Sequence, residues 1–129
     1  MKKKVLSLVF ATMSLFAESQ DYLNTHALLA GHQFSDTIKI EDIFKFSEIV
    51  LDNKDYSIVS FSLFFRDSGY DYEFRSNSNN ITDEMKEALL NIKQRDTKLK
   101  IIVFKDIYIQ RTKGRVVKIG DSIYKLKME

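Results

Sequence analysis

The sequence has no cysteine, no proline and no tryptophan among its 129 residues, and only four glycines. Without cysteine there is no disulfide framework, no thiolate metal site, no thiol nucleophile and no lipid-modified cysteine anchor. Four glycines in separate turns cannot build the loop that cradles a phosphate. No proline-rich or low-complexity stretch marks a linker, and the length suits one domain with or without a tail. A dominant charge is missing too. Lys and Arg number 20 against 18 Asp and Glu, a formal +2 that makes no overall case for nucleic-acid binding. What is present, 44% hydrophobic and 29% charged residues, is ordinary globular composition, neither disordered nor fibrous.

The one long apolar run lies at the start. Met1-Lys2-Lys3-Lys4 is basic, and Val5 to Ala17 follows it. As a helix that run would rise about 20 Å, short of the roughly 30 Å of hydrocarbon a spanning helix must cross. It ends in Ala17-Glu18-Ser19, small residues suited to a cut between Ser19 and Gln20. Residues 1–19 therefore read as a secretory signal peptide. Cleavage leaves 17 basic and 17 acidic side chains, a neutral chain without a further run long enough to span a bilayer. The expected location is the periplasm or the exterior.

Residues 20–35 read as an N-terminal lead-in, with His26-Ala27-Leu28-Leu29-Ala30 either a helical turn or a flexible stretch, and residues 36–129 as the folded domain. Ile38 and Ile40 alternate like a short strand, and Ile43, Phe44 and Phe46 fit a helical turn after Glu41-Asp42. Tyr56 to Phe65 is a strand rich in β-branched and aromatic residues, with Val59, Phe61, Leu63 and Phe65 as its core face. Arg66-Asp67-Ser68-Gly69 turns it, and Tyr70, Tyr72 and Phe74 alternate with Asp71, Glu73 and Arg75 on the returning strand. Thr82 caps a helix with Met85, Ala88, Leu89 and Ile92 on one face and Lys93 and Arg95 at its end. A strand from Leu99 to about Gln110, a turn at Thr112-Lys113-Gly114 and a partner strand from Val116 to Leu126, interrupted near Gly120-Asp121, complete the chain. The expected fold is α+β: mostly antiparallel β-hairpins forming a small sheet or sandwich, with one main α-helix packed on it.

Chemistry is sparse. His26 and His32 lie six apart, a poor metal spacing, and read as solvated or structural. Asp67, Asp71 and Glu73 lack the pattern of a calcium loop, and nothing beside them marks an acid–base pair. Asn80-Ile81-Thr82 matches a glycosylation sequon, but Thr82 already serves as a helix cap. No nucleophile elbow and no HExxH motif occurs, so no enzyme activity and no cofactor is expected. Residues 20–75 carry a net −5 and residues 76–129 a net +5. Either the basic half meets an acidic partner, or the two halves neutralise each other on folding. The partner-binding candidates are Lys113, Gly114 and Arg115 at one hairpin tip and Asp67 and Tyr70 at the other. An alternative is a glycan or small-molecule site with Tyr70, Tyr72 and Tyr108 as stacking surfaces. A hydrolase using Asp71 and Glu73 is the remotest reading.

The order of several motifs resembles the C-terminal domain of the gliding-motility protein GldM. They are Val59-Ser60-Phe61-Ser62, then Asn79-Asn80-Ile81-Thr82-Asp83-Glu84-Met85 before a short helix. Leu99-Lys100-Ile101-Ile102-Val103-Phe104-Lys105-Asp106-Ile107, the turn Lys113-Gly114-Arg115 and a last strand follow. Full-length members carry a membrane helix and several periplasmic domains before this module, and act in type IX secretion and gliding. The resemblance implies a Bacteroidetes-type bacterium, a periplasmic setting and a binding module without catalysis. The expected partner is an envelope or periplasmic protein, or a second copy in a homodimer, and not nucleic acid.

Overall fold

A computed structural model describes residues 22–29, 37–45, 47–95 and 100–127. Residues 1–19, expected to be a signal peptide, with the Ser19–Gln20 junction, and also Gly31, His32, Phe46, Lys98 and Leu99, lie outside the described residues.

The longest strands dictate the architecture. β4 (Tyr56–Asp67) and β6 (Lys100–Arg111) each run 12 residues and pair antiparallel at the centre of a sheet. β5 (Tyr70–Ser76) returns from β4 as a hairpin and forms one end. On the other side, β7 (Val116–Ile119) and β8 (Ser122–Lys127) pair in succession along β6, and β2 (Thr37–Lys39) joins β8 in parallel. The order is β2-β8-β6-β4-β5, with β7 on β6. The sheet, mostly antiparallel, carries one main helix, as the alternating runs predict. The parallel β2–β8 contact is not something local pattern reveals.

One sheet face is covered. α1 (Ile40–Lys45) buries Ile40 and Ile43, and α2 (Asp83–Arg95) buries Met85, Leu89 and Ile92. The Thr82 hydroxyl accepts the Met85 N–H at 3.2 Å, the expected N-cap. These side chains join Phe61, Leu63, Phe65, Ile102, Phe104, Ile107, Ile109, Tyr124 and Leu126 in one core. No described element lies over the opposite face.

Two readings of local pattern are corrected. Ala27–Leu29 is neither a helical turn nor a lead-in but strand β1, paired with β3 (Ile49–Leu51) and fully inside the core at Ala27 and Leu29. Ala and Leu favour helix locally, yet buried tertiary bonds decide the outcome. The Leu29 N–H donates to the Tyr124 hydroxyl at 2.9 Å, and the Ser122 hydroxyl donates to the Ala27 carbonyl at 2.5 Å. His26, beside this strand, bonds Asp52 through its ring and its backbone N–H, at 2.9 and 2.8 Å. Secondly, Val59 is not core. Between Ile58↔Ile109 and Ser60↔Tyr108, β4 advances two residues while β6 advances one; by Ser62↔Lys105, β6 has regained the difference. These compensating bulges turn Ile58 toward the core and leave Val59 half-buried outside it. Asp106 takes the second bulge at φ +48°, and the Gly120-Asp121 break between β7 and β8 lies opposite it.

Candidate functional site

The hairpin-tip residues do not meet. Tyr56 at the start of β4 pairs with Arg111, beside the Lys113-Gly114-Arg115 turn, whereas Asp67 ends the same strand. At about 3.3 Å per residue the two tips stand on the order of 35 Å apart. In the first turn, Lys113 adopts φ +60° and the Gly114 N–H donates to the Arg111 carbonyl at 2.7 Å. A Cβ at Gly114 would sit 3.2 Å from that carbonyl oxygen, so the glycine is there for closeness of packing. Lys113 and Arg115 are exposed. At the second tip, Ser68 and Gly69 have φ of +52° and +82°, the two-residue turn with both central residues left-handed that matches strand twist. Tyr70 stands 71% exposed there, but Asp67 points inward, 3% exposed, with Lys100 Nζ 3.2 Å from its carboxylate.

The three tyrosines are divided as well. Tyr72 lies on the covered face, stacked on Phe65 at 5.2 Å. Tyr108 lies on the other, beneath the Arg75 guanidinium at 5.5 Å. They form no common stacking surface.

On the uncovered face, charges are tied to neighbouring strands. Arg75 donates to the Ser60 and Ser62 hydroxyls at 2.6 and 3.1 Å, covering two otherwise buried polar groups. Lys105 pairs with Glu73 at 2.9 Å and sits over the Phe64 ring. Arg66 grips Asp71 at 2.6 Å, and Lys118 reaches Asp106 at 3.0 Å. Asp71 and Glu73 are thus each held by a cation, not arranged as an acid and a base. The hydrogen bond from Arg66 lowers the Asp71 pKa, and that from Lys118 lowers the Asp106 pKa. Their contribution to stability is present above the ordinary aspartate range and is lost as pH falls through the lowered values. Both groups are solvated, so the effect on folding is small. NMR titration of the carboxyl carbons should place both midpoints below an ordinary aspartate, and Arg66→Ala should raise that of Asp71 alone. An unchanged Asp71 midpoint in that variant would refute the assigned cause.

The covered face holds a concavity. At the β5 end, α2 stands off from the strand and leaves a cleft of about 670 Å³, lined by Tyr72, Phe74, Glu84, Glu87, Ala88, Asn91 and Ile92. Its walls are two half-buried aromatic rings from β5 facing the alanine and isoleucine of α2. The small Ala88 side chain leaves the space in front of the rings unfilled. Glu84 and Glu87, one turn apart and exposed, rim it; neither has an ion-pair partner among the described residues. A cleft of this volume, with Tyr72, Phe74, Ala88 and Ile92 beside the polar Glu84, Glu87 and Asn91, has the size and mixed lining of a binding site. Hairpin tips are legible in sequence as turns, whereas the cleft needs the spatial meeting of β5 and α2. Its only sequence signal was the alternation of Tyr72 and Phe74 combined with the alanine on the apolar face of the helix.

Among the described residues no cluster of three or more His, Asp or Glu side chains is placed to hold a metal, and no described helix is long and apolar enough to cross a membrane. Compared with known proteins, the sequence matches no family model and no curated protein.

Proposed function

We propose that this domain is a non-catalytic protein-binding module of the periplasm or cell envelope, exported by removal of residues 1–19, with the β5–α2 cleft as its contact surface. The observation that carries the reading is the cleft itself: a concavity with an aromatic wall from β5, an apolar patch on α2 and an acidic rim, beside the end strand of the sheet. The ion-paired state of Asp71 and Glu73 supports a binding role over hydrolysis. The GldM-like order of motifs supports a place in type IX secretion or gliding.

A photo-crosslinking residue at Asn91 in the exported protein is expected to trap one defined envelope protein. The same residue at Lys113 should not trap it, and Ala88→Arg, which fills the cleft, should reduce the Asn91 crosslink about tenfold or more. Equal trapping from Lys113, or an Asn91 crosslink indifferent to Ala88→Arg, would remove the cleft from the interface. A glycan or small-molecule ligand is the second reading, favoured by the exposed part of Tyr72 on the cleft wall. Glycan-array binding that Tyr72→Ala abolishes, with no protein crosslink, would establish it instead.

A further inference from the structure

We infer that the cleft receives an extended segment of the partner, which adds to β5 as a new end strand, seats an apolar side chain between β5 and α2, and sets a Lys or Arg beside Glu84 and Glu87. This rests on the reading of the cleft as a protein-binding surface and goes further in naming the mode and the ligand chemistry.

The first support is the edge. β5 pairs with β4 on one side and with no strand on the other among the described residues. In an antiparallel pair, alternate residues direct both backbone groups away from the partner, so seven residues offer a short ladder to an incoming chain. Sheet edges are ordinarily protected by proline, by lysine or by charged side chains that obstruct approach. β5 has no proline and no lysine. Its three charged side chains are drawn back over the sheet: Asp71 to Arg66, Glu73 to Lys105, and Arg75 to Ser60 and Ser62. The charges are present, but their partners hold them off the edge.

The second support is the relation of edge to cleft. An added strand would run about 4.8 Å outside β5, and every second side chain would point to the face carrying α2. That face is where Tyr72 and Phe74 meet Ala88 and Ile92. One side chain of the added strand would therefore enter an apolar space already bounded on two sides. The next on that face lies roughly 7 Å further along, beside the acidic rim. Glu84 and Glu87 are about 4.5 Å apart along the helix axis, close enough for one cation to interact with both. Main-chain bonds would supply affinity and the cleft its selectivity, the usual division in strand addition.

The probe is a blocked heptapeptide, Thr-Lys-Thr-Leu-Thr-Lys-Thr, whose leucine and two lysines share one face when extended. Titration of the folded domain, followed by amide NMR, is expected to shift Tyr72, Phe74 and Ala88 and to leave Lys113 unmoved. N-methylation of the two peptide bonds flanking leucine should weaken binding about tenfold or more, because one of the two adjacent N–H groups must face β5 and its loss removes a ladder donor without changing side chains. Replacing both lysines with glutamate should weaken it by a similar factor, and the Glu84→Gln/Glu87→Gln protein should bind the lysine peptide about tenfold less tightly. Those two substitutions are at exposed positions, so retained thermal stability will show that the domain still folds.

Binding indifferent to N-methylation would overturn strand addition, and binding indifferent to lysine and glutamate would overturn the ligand chemistry. Either result leaves the Asn91 crosslink intact. Absence of peptide binding at millimolar concentration overturns the inference; absence of the Asn91 crosslink as well overturns the protein-binding reading beneath it. A concentration-dependent dimer that protects the β5 amides from hydrogen exchange would make a second copy the occupant and overturn the proposed partner.

Discussion

Phe104→Ala should destabilise the domain by about 3–5 kcal/mol, the usual cost of emptying a buried aromatic site. Phe104 lies on the central strand β6 with 1% exposure, edge-on to Phe61 at 5.8 Å and to Tyr124 at 5.9 Å. Its ring is a support for Tyr124, whose hydroxyl in turn receives the Leu29 N–H and ties β1 to the sheet. Truncation therefore removes two ring contacts and loosens the anchor of a strand distant in sequence. Against a total stability of about 5–15 kcal/mol for a domain of this kind, that is a large share. Phe64→Ala is the control. Phe64 is half-buried on the uncovered face beneath Lys105, and its loss should cost about 1 kcal/mol. Urea denaturation of both variants measures the difference, and equal losses would contradict a core confined to one face of the sheet.

Lys100→Met should cost on the order of 3 kcal/mol, for an electrostatic reason. Asp67 at the end of β4 and Lys100 at the start of β6 meet across the central strand pair at 3.2 Å, with side-chain exposures of 3% and 19%. Methionine keeps most of the side-chain volume but removes the positive charge from a carboxylate that water hardly reaches. The double variant Asp67→Asn/Lys100→Met removes both charges and should recover most of the loss, since a paired charge is costly mainly when one partner is taken away. If Lys100→Met melts like the parent protein, the ion pair contributes nothing to folding. A double variant no better than the single one would place the cost in packing.

Asp67 is buried where its position in the sequence suggests surface. Asp67 stands one residue before a turn in a run of polar residues, and such a position reads as surface. Register decides otherwise. Asp67 shares its side of β4 with Phe61, Leu63 and Phe65, so it points toward the core, and Lys100 arrives from a strand more than thirty residues later in the chain. Tyr70, by contrast, is exposed as expected. The bulges have a faint trace in sequence: buried positions on β6 change parity from Ile102 and Phe104 to Ile107 and Ile109. The matching displacement at Val59 on β4 leaves no such trace, because Ile58 and Val59 are equally apolar.

The amino-acid order alone determined the local elements. Strict alternation in Tyr70–Arg75, the Ser68-Gly69 turn, the Thr82 cap with its apolar helix face, and the break at Gly120-Asp121 all concern neighbours a few residues apart, where backbone preferences and side-chain period act directly. Tertiary structure decided everything that depends on remote segments meeting. It made Ala27–Leu29 a strand, through bonds from Ser122 and Tyr124 that lie 95 residues away. It separated Tyr72 from Tyr108 by placing them on opposite faces, and set the two hairpin tips at opposite ends of β4. It also formed the β5–α2 cleft, which neither segment contains by itself. Pairing and packing across such separations follow from the shape of the whole core, and no local pattern specifies that shape.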